Sequence, residues 1–134
     1  MIAPTLDTVR LFLHVLAAAI WVGGQFALAG IVPTLRRDAP AATKAVAQAF
    51  ARMAWPSCAV LLATGIWNLL DIDVTTLSGD AAATVFVHLA LGIASGAFVA
   101  VHSLGSSRLA LALGGALGAL TAVAAMFTGV LLHG

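Results

Sequence analysis

Charge and cysteine are what this chain has least of: its 134 residues include one Cys, six Lys or Arg and five Asp or Glu, 8% charged in all. The lone Cys58 excludes an intramolecular disulfide and any cysteine cluster for zinc or iron–sulfur. It reads as a small buried hydrophobe. Soluble domains carry roughly 25% charged residues and about 45–50% apolar ones, whereas here 62% are hydrophobic and the mean hydropathy is +1.10. That excludes a water-soluble globular domain, and a net charge of +1 gives no reason to expect a nucleic-acid partner.

What is present is oil-soluble helix. Four apolar stretches, 9–29, 53–70, 81–103 and 109–132, approach the roughly 20 residues a spanning helix needs, and they leave nothing over for a soluble domain. The expectation is an all-α bundle of four transmembrane helices forming a single membrane domain over 1–134, with the lipid bilayer as its main partner. Ala27-Leu28-Ala29 resembles a signal-peptidase site, but only Asp7 and Arg10 precede the first apolar run and no basic n-region is present. The first span is therefore expected to be retained.

Arg36, Arg37, Lys44 and Arg52 lie between the first two spans and Arg108 between the last two, while the middle loop carries Asp71, Asp73 and Asp80. The positive-inside rule then puts the basic loops in the cytoplasm and both termini outside an inner, plasma membrane. Asp38 and Pro40 look like a helix start, and Lys44, Gln48 and Arg52 recur every four residues opposite Val46 and Phe50, so the second helix is expected to begin at the cytoplasmic interface. Trp55 and Trp67 fall near its ends, where an aromatic belt is expected.

The chain also repeats itself. "LFLHVLA" from Leu11 reads against "VFVHLAL" from Val85, aligning His14 with His88 and Phe12 with Phe86. A fainter echo aligns Thr64-Gly65 in "LLATGIWNLL" with Thr128-Gly129 in "AMFTGVLLHG". The pattern is a duplicated helical hairpin, whose halves would be related by pseudo-twofold symmetry about an axis along the membrane normal, a parallel repeat.

Ionisable side chains inside a membrane are costly and mark function. At about 1.5 Å per residue, His14 and His88 both sit on the order of 8–10 Å below the outer surface, near the level of Thr64 and Thr128. His14 shares a helical face with Ala17, Ala18, Trp21 and Gln25, and His88 one with Gly92, Ser95 and His102. Two level imidazoles beside small residues suit a b-type haem, whose iron takes axial ligands above and below the ring. His14 and His88 are the candidate ligands, with Thr64, Gly65, Thr128 and Gly129 around the cofactor and the Thr hydroxyls or backbone carbonyls accepting the second imidazole N–H. The function expected is electron transfer to and from unidentified redox partners.

Copper is the rival: Met126 lies near the same height, and thioether with imidazole suits Cu(I). A third reading is a non-catalytic membrane subunit whose histidines only hydrogen-bond across helices. His102, at the inner end of the third span, reads as interfacial or hydrogen-bonded, and His133 as a solvated terminal residue. Gly114 and Gly118 form a small-xxx-small pair, which leads to an expected homodimer or docking into a larger membrane complex.

"LHVLAAAIWVGG" resembles the first-helix signature of the copper-resistance D membrane domain (CopD-like). "MAWPSCAVLLATGIW" from Met53 and "FVHLALGIASGAFVAVHS" from Phe86 resemble HemJ-type protoporphyrinogen oxidases. The resemblance implies a small four-helix inner-membrane protein, with copper uptake or resistance on one side of the superfamily and haem-linked porphyrinogen oxidation on the other. Where the oxidases carry a lysine two residues after the third-helix histidine this chain has Ala90, and their polar segment opening the last helix is absent from Leu109 onward.

Overall fold

The computed structural model describes residues 3–133, which fold into four helices with no strand among the described residues. The helices are α1 (Leu6–Asp38), α2 (Pro40–Asp71), α3 (Gly79–Leu104) and α4 (Arg108–Leu131). Each is long and apolar enough to cross a membrane, which makes this a multi-pass membrane protein. The chain divides into two compact units, Met1–Asp71 and Ile72–Gly134, each an antiparallel hairpin of two helices.

In the first hairpin α1 begins with a capping box: the Thr5 hydroxyl accepts from the Thr8 amide at 3.2 Å, and Thr8 answers the Thr5 amide. It then runs through Pro33 to Asp38, nine residues past the apolar stretch, and α2 starts at Pro40, thirteen residues before its own. The Ala-rich, basic segment between the two spans is thus helical rather than a loop. Only Ala39 breaks it, in a non-helical conformation with its N–H on the Leu35 carbonyl at 2.8 Å. Pro40 follows as the first residue of α2, where a missing N–H costs nothing. At about 1.5 Å per residue the 33-residue α1 is roughly 50 Å long, well beyond a hydrocarbon core of about 30 Å. The two helices meet where the Phe50 ring lies over Gly24, occupying the space any larger residue there would need. Nearby the rings of Trp21 and Trp55 make an edge contact, with centroids 6.0 Å apart.

The second hairpin is shorter. Ser78 and Ser107 cap α3 and α4, accepting from the amides of Ala81 and Ala110 at 3.2 and 3.1 Å. Its helices approach most closely at Gly114, where a Cβ would stand 2.7 Å from the His102 amide nitrogen and 2.8 Å from the Phe98 carbonyl oxygen. Gly118 packs on Val99, and its carbonyl accepts from the Ser95 hydroxyl at 3.0 Å. The small-xxx-small pair expected to serve a homodimer is therefore consumed inside the hairpin: both glycines are buried, and α3 takes the surface they offer.

The internal repeat is visible in these contacts. The offset that carries His14 to His88 carries Gly24 to Phe98, and the offset that carries Thr64 to Thr128 carries Phe50 to Gly114. The first hairpin places glycine on its leading helix and phenylalanine on its trailing helix at this level. The second has the residue types reversed, and there the backbone of Phe98 and His102, rather than a ring, lies against the glycine.

Candidate functional site

Each hairpin has an open end, where its two chain ends lie, and each holds one histidine toward that end. His14 comes eight residues into α1 and His88 nine residues into α3. His14 Nδ1 lies 2.8 Å from the Thr64 hydroxyl oxygen, and that hydroxyl donates to the Val60 carbonyl of its own helix at 2.6 Å. With its single proton committed to Val60, Thr64 must accept at its oxygen, so Nδ1 of His14 carries the hydrogen.

His88 reaches the same state by a firmer route. Its Nδ1 is 2.8 Å from the Ala125 carbonyl oxygen and 3.3 Å from the Thr128 hydroxyl. A carbonyl can only accept, so Nδ1 donates. Thr128 turns its own proton back to the carbonyls of Ala124 and Ala125, as Thr64 does to Val60. The glycine after each threonine clears the ring: a Cβ on Gly65 would stand 3.6 Å from His14 Cε1, and one on Gly129 would stand 3.1 Å from His88 Cε1. Thus the six predicted residues fall into two matching groups, His14 with Thr64 and Gly65, and His88 with Thr128 and Gly129.

The predicted faces hold in part. Ala17 and Trp21 are buried below His14, and Ser95 below His88 is the most buried side chain described, at 1% exposed. Gly92, placed on the His88 face by its spacing, is exposed, with nothing within 4 Å of where a Cβ would stand. Met126 is 50% exposed and stands off the α4 stripe of Gly114, Gly118, Ala122 and Ala125 that is buried. It does not join the group around His88. Among the described residues no three His, Cys, Asp or Glu side chains gather in a metal-holding cluster.

Two further features stand out. His102 repeats the device of His88: its Nδ1 is 2.6 Å from the Leu111 carbonyl, and Gly115 clears its ring as Gly129 clears that of His88. Both helices step by fourteen residues between the two sites, His88 to His102 and Ala125 to Leu111, which keeps the same faces in contact. The hydrogen-bonded role expected of His102 is the one found, but its repeat position in α1 is Leu28, so it has no histidine counterpart. His133 lies exposed beyond the end of α4. The second feature is Arg10, read in the sequence as a flanking charge. Its guanidinium lies over the Trp67 ring at 5.6 Å, is ion-paired to Asp71 at the far end of α2, and touches Asp7 at 3.2 Å. A contact between residues 61 apart could have been sought in the charge pairing of hairpin ends.

No protein-family model, curated protein or solved structure matches the chain. What the fold and the site define is a multi-pass membrane protein of two helical hairpins, each carrying a histidine whose Nδ1 is held by its partner helix.

Proposed function

We propose that this protein is a membrane b-type haem protein, that the imidazoles of His14 and His88 would hold its iron, and that its role is electron transfer. The observation that carries the reading is the parallel preparation of the two imidazoles, Nδ1 of His14 against the Thr64 hydroxyl and Nδ1 of His88 against the Ala125 carbonyl with Thr128 beside it. Metal-bound histidines characteristically donate their other N–H to a carbonyl or similar acceptor, which fixes the tautomer and turns the second nitrogen toward the metal. Both rings have that arrangement, built independently in two hairpins from the same residue types.

The donor set fits a haem better than a bare ion. A tetrapyrrole brings four equatorial nitrogens of its own, so two imidazoles complete the coordination and no larger side-chain cluster is required. When bound, the group supplies a one-electron iron couple. The protein's part is to fix both rings, keep water away from them and set the potential through neutral imidazole ligation. Copper handling through His14, His88 and Met126 draws less support, because Met126 stands apart from the group around His88. In the orientation that goes with the haem reading, the basic extension around Arg36, Arg37, Lys44 and Arg52 faces the cytoplasm, and the histidine-bearing ends face outward.

The test is substitution with pigment as readout. Haem-replete membranes should yield a protein with a low-spin bis-imidazole spectrum, and His14→Ala and His88→Ala should each abolish it while His102→Ala and His133→Ala leave it intact. A colourless protein that retains copper, and loses it on Met126→Leu, would replace this reading with the copper one. A colourless, metal-free protein would leave the histidines as interhelical ties only.

A further inference from the structure

The first hairpin carries something at its open end that the second does without. Arg10 lies four residues before His14, hence on the same face of α1 and about 6 Å closer to the open end. Its side chain is only 12% exposed. One terminal nitrogen is spent on Asp71, the other on Asp7, and the flat face on Trp67. The remaining donor, Nε, is buried and has no hydrogen-bond partner. A buried donor without an acceptor is costly, and the group that relieves it best is an anion, since hydrogen bonds to charged groups are the stronger kind.

The internal repeat argues that this arrangement is not there to build the histidine site. At the position matching Arg10 the second hairpin has Thr84, whose hydroxyl bonds the Asp80 carbonyl of its own helix, and at the position matching Trp67 it has Leu131. Yet the second hairpin makes the same contact between His88 and Thr128. The clamp of Arg10, Trp67 and Asp71 is therefore an addition to one half of a duplicated scaffold, one turn from a candidate iron ligand.

Resting on the haem reading above, we infer that Arg10 is the carboxylate-recognition residue of the site. It binds a propionate of the tetrapyrrole through its unsatisfied Nε–H, with Trp67 and Asp71 holding the guanidinium in place. Because the clamp is present in one hairpin only, it also gives the ring a single orientation: the propionate edge lies toward the open end of the first hairpin. The acidic partners Asp7 and Asp71 are largely exposed and screened, so their charge opposes a bound carboxylate only weakly.

Titration of the full-length apoprotein in mild detergent, followed at the Soret band, tests this with two ligands: haem b and its dimethyl ester, which lacks both carboxylate charges. Loss of one charge-assisted hydrogen bond corresponds to about a 10- to 100-fold weakening. Arg10→Gln should weaken haem b by that factor and leave dimethyl-ester binding unchanged, and wild-type protein should itself prefer haem b over the ester by a similar factor. Asp71→Asn releases one hold on the guanidinium but keeps its charge, so haem b binding should weaken by less than in Arg10→Gln, with dimethyl-ester binding unchanged; weakening of both ligands alike would count against the inference. Equal weakening of both ligands by Arg10→Gln, or an ester that binds wild type as tightly as haem b, would overturn the inference while leaving the haem reading intact. If Arg10→Gln does not fold, the wild-type ligand comparison and Asp71→Asn decide alone. Wild-type protein that binds neither ligand would sink the haem reading and this inference with it.

Discussion

Replacing Thr64 and Thr128 by valine, one at a time, should have unequal effects although the two residues occupy equivalent places in the repeat. Valine keeps the branched shape and removes only the hydroxyl. In the first hairpin the partner of His14 Nδ1 is the Thr64 hydroxyl oxygen, which accepts from it at 2.8 Å. In the second, His88 Nδ1–H lies 2.8 Å from the Ala125 carbonyl, with Thr128 the longer contact at 3.3 Å. Interhelical hydrogen bonds in membrane proteins are worth about 1–2 kcal/mol at the upper end and about 0.6 on average. Thr64→Val should therefore cost about 1–2 kcal/mol, and Thr128→Val about 0.6 kcal/mol or less, because its carbonyl partner remains. Reversible unfolding of the full chain in mild detergent measures both, with Thr64→Ser as the control that restores the hydroxyl. Nitrogen NMR of the imidazoles adds a direct readout: wild-type rings should both be protonated at Nδ1, and only Thr64→Val should disturb that state. Equal losses, or the larger loss at Thr128, would refute the assignment of acceptors.

The glycines give a graded series. Gly65→Ala meets His14 at an ordinary 3.6 Å and should stabilise by up to about 1 kcal/mol through helix propensity, whereas Gly114→Ala meets backbone at 2.7 and 2.8 Å and should destabilise by about 1–3 kcal/mol as the helices are forced apart. Thermal unfolding that ranks Gly114→Ala at or above Gly65→Ala would contradict the packing. For topology, in a Cys58→Ala background, Ser78→Cys should react with an impermeant thiol reagent added outside intact cells and Ala42→Cys should not; the reverse pattern would invert the orientation. In the loop before α3, the hydroxyl and amide of Thr75 bond the Asp73 carboxylate and hold its pKa below the usual carboxylate range. These bonds are fully present above that range and are lost as pH falls through the lowered value, so the Asp73 carboxyl signal should titrate with a midpoint below that of an ordinary aspartate. A midpoint at or above the ordinary one would remove that local tie.

The spans and the repeat were legible because both depend on which residues stand at which spacing. A histidine in an apolar run is conspicuous, and a second one in a matching run, again followed by a hydroxyl-glycine pair on the next helix, is more so. The level of the residues along the helices put the threonines near the histidines, but which Thr-Gly pair each histidine meets was seen only in the structure. Other parts were hidden because they depend on backbone atoms or on distant chain returning. The Ala125 and Leu111 carbonyls that orient His88 and His102 have no side-chain signature, and Arg10 gains its meaning only when Trp67 and Asp71 arrive from the other end of α2. The Gly114/Gly118 pair announced a close helix contact, and α3 is the helix that fills it, a choice of partner that spacing alone does not make. The helix ends around Ala39 were obscured because polar, Ala-rich sequence lowers hydropathy without breaking helix.

The central claim is that the two matched imidazoles share one haem iron, and a reduced-minus-oxidised absorption spectrum of the purified, haem-replete protein tests it most directly. The account predicts a Soret band with sharp, low-spin bis-histidine features in the reduced state, at one haem per chain. A featureless difference spectrum, or a pigment that persists unchanged in both His14→Ala and His88→Ala, would contradict it.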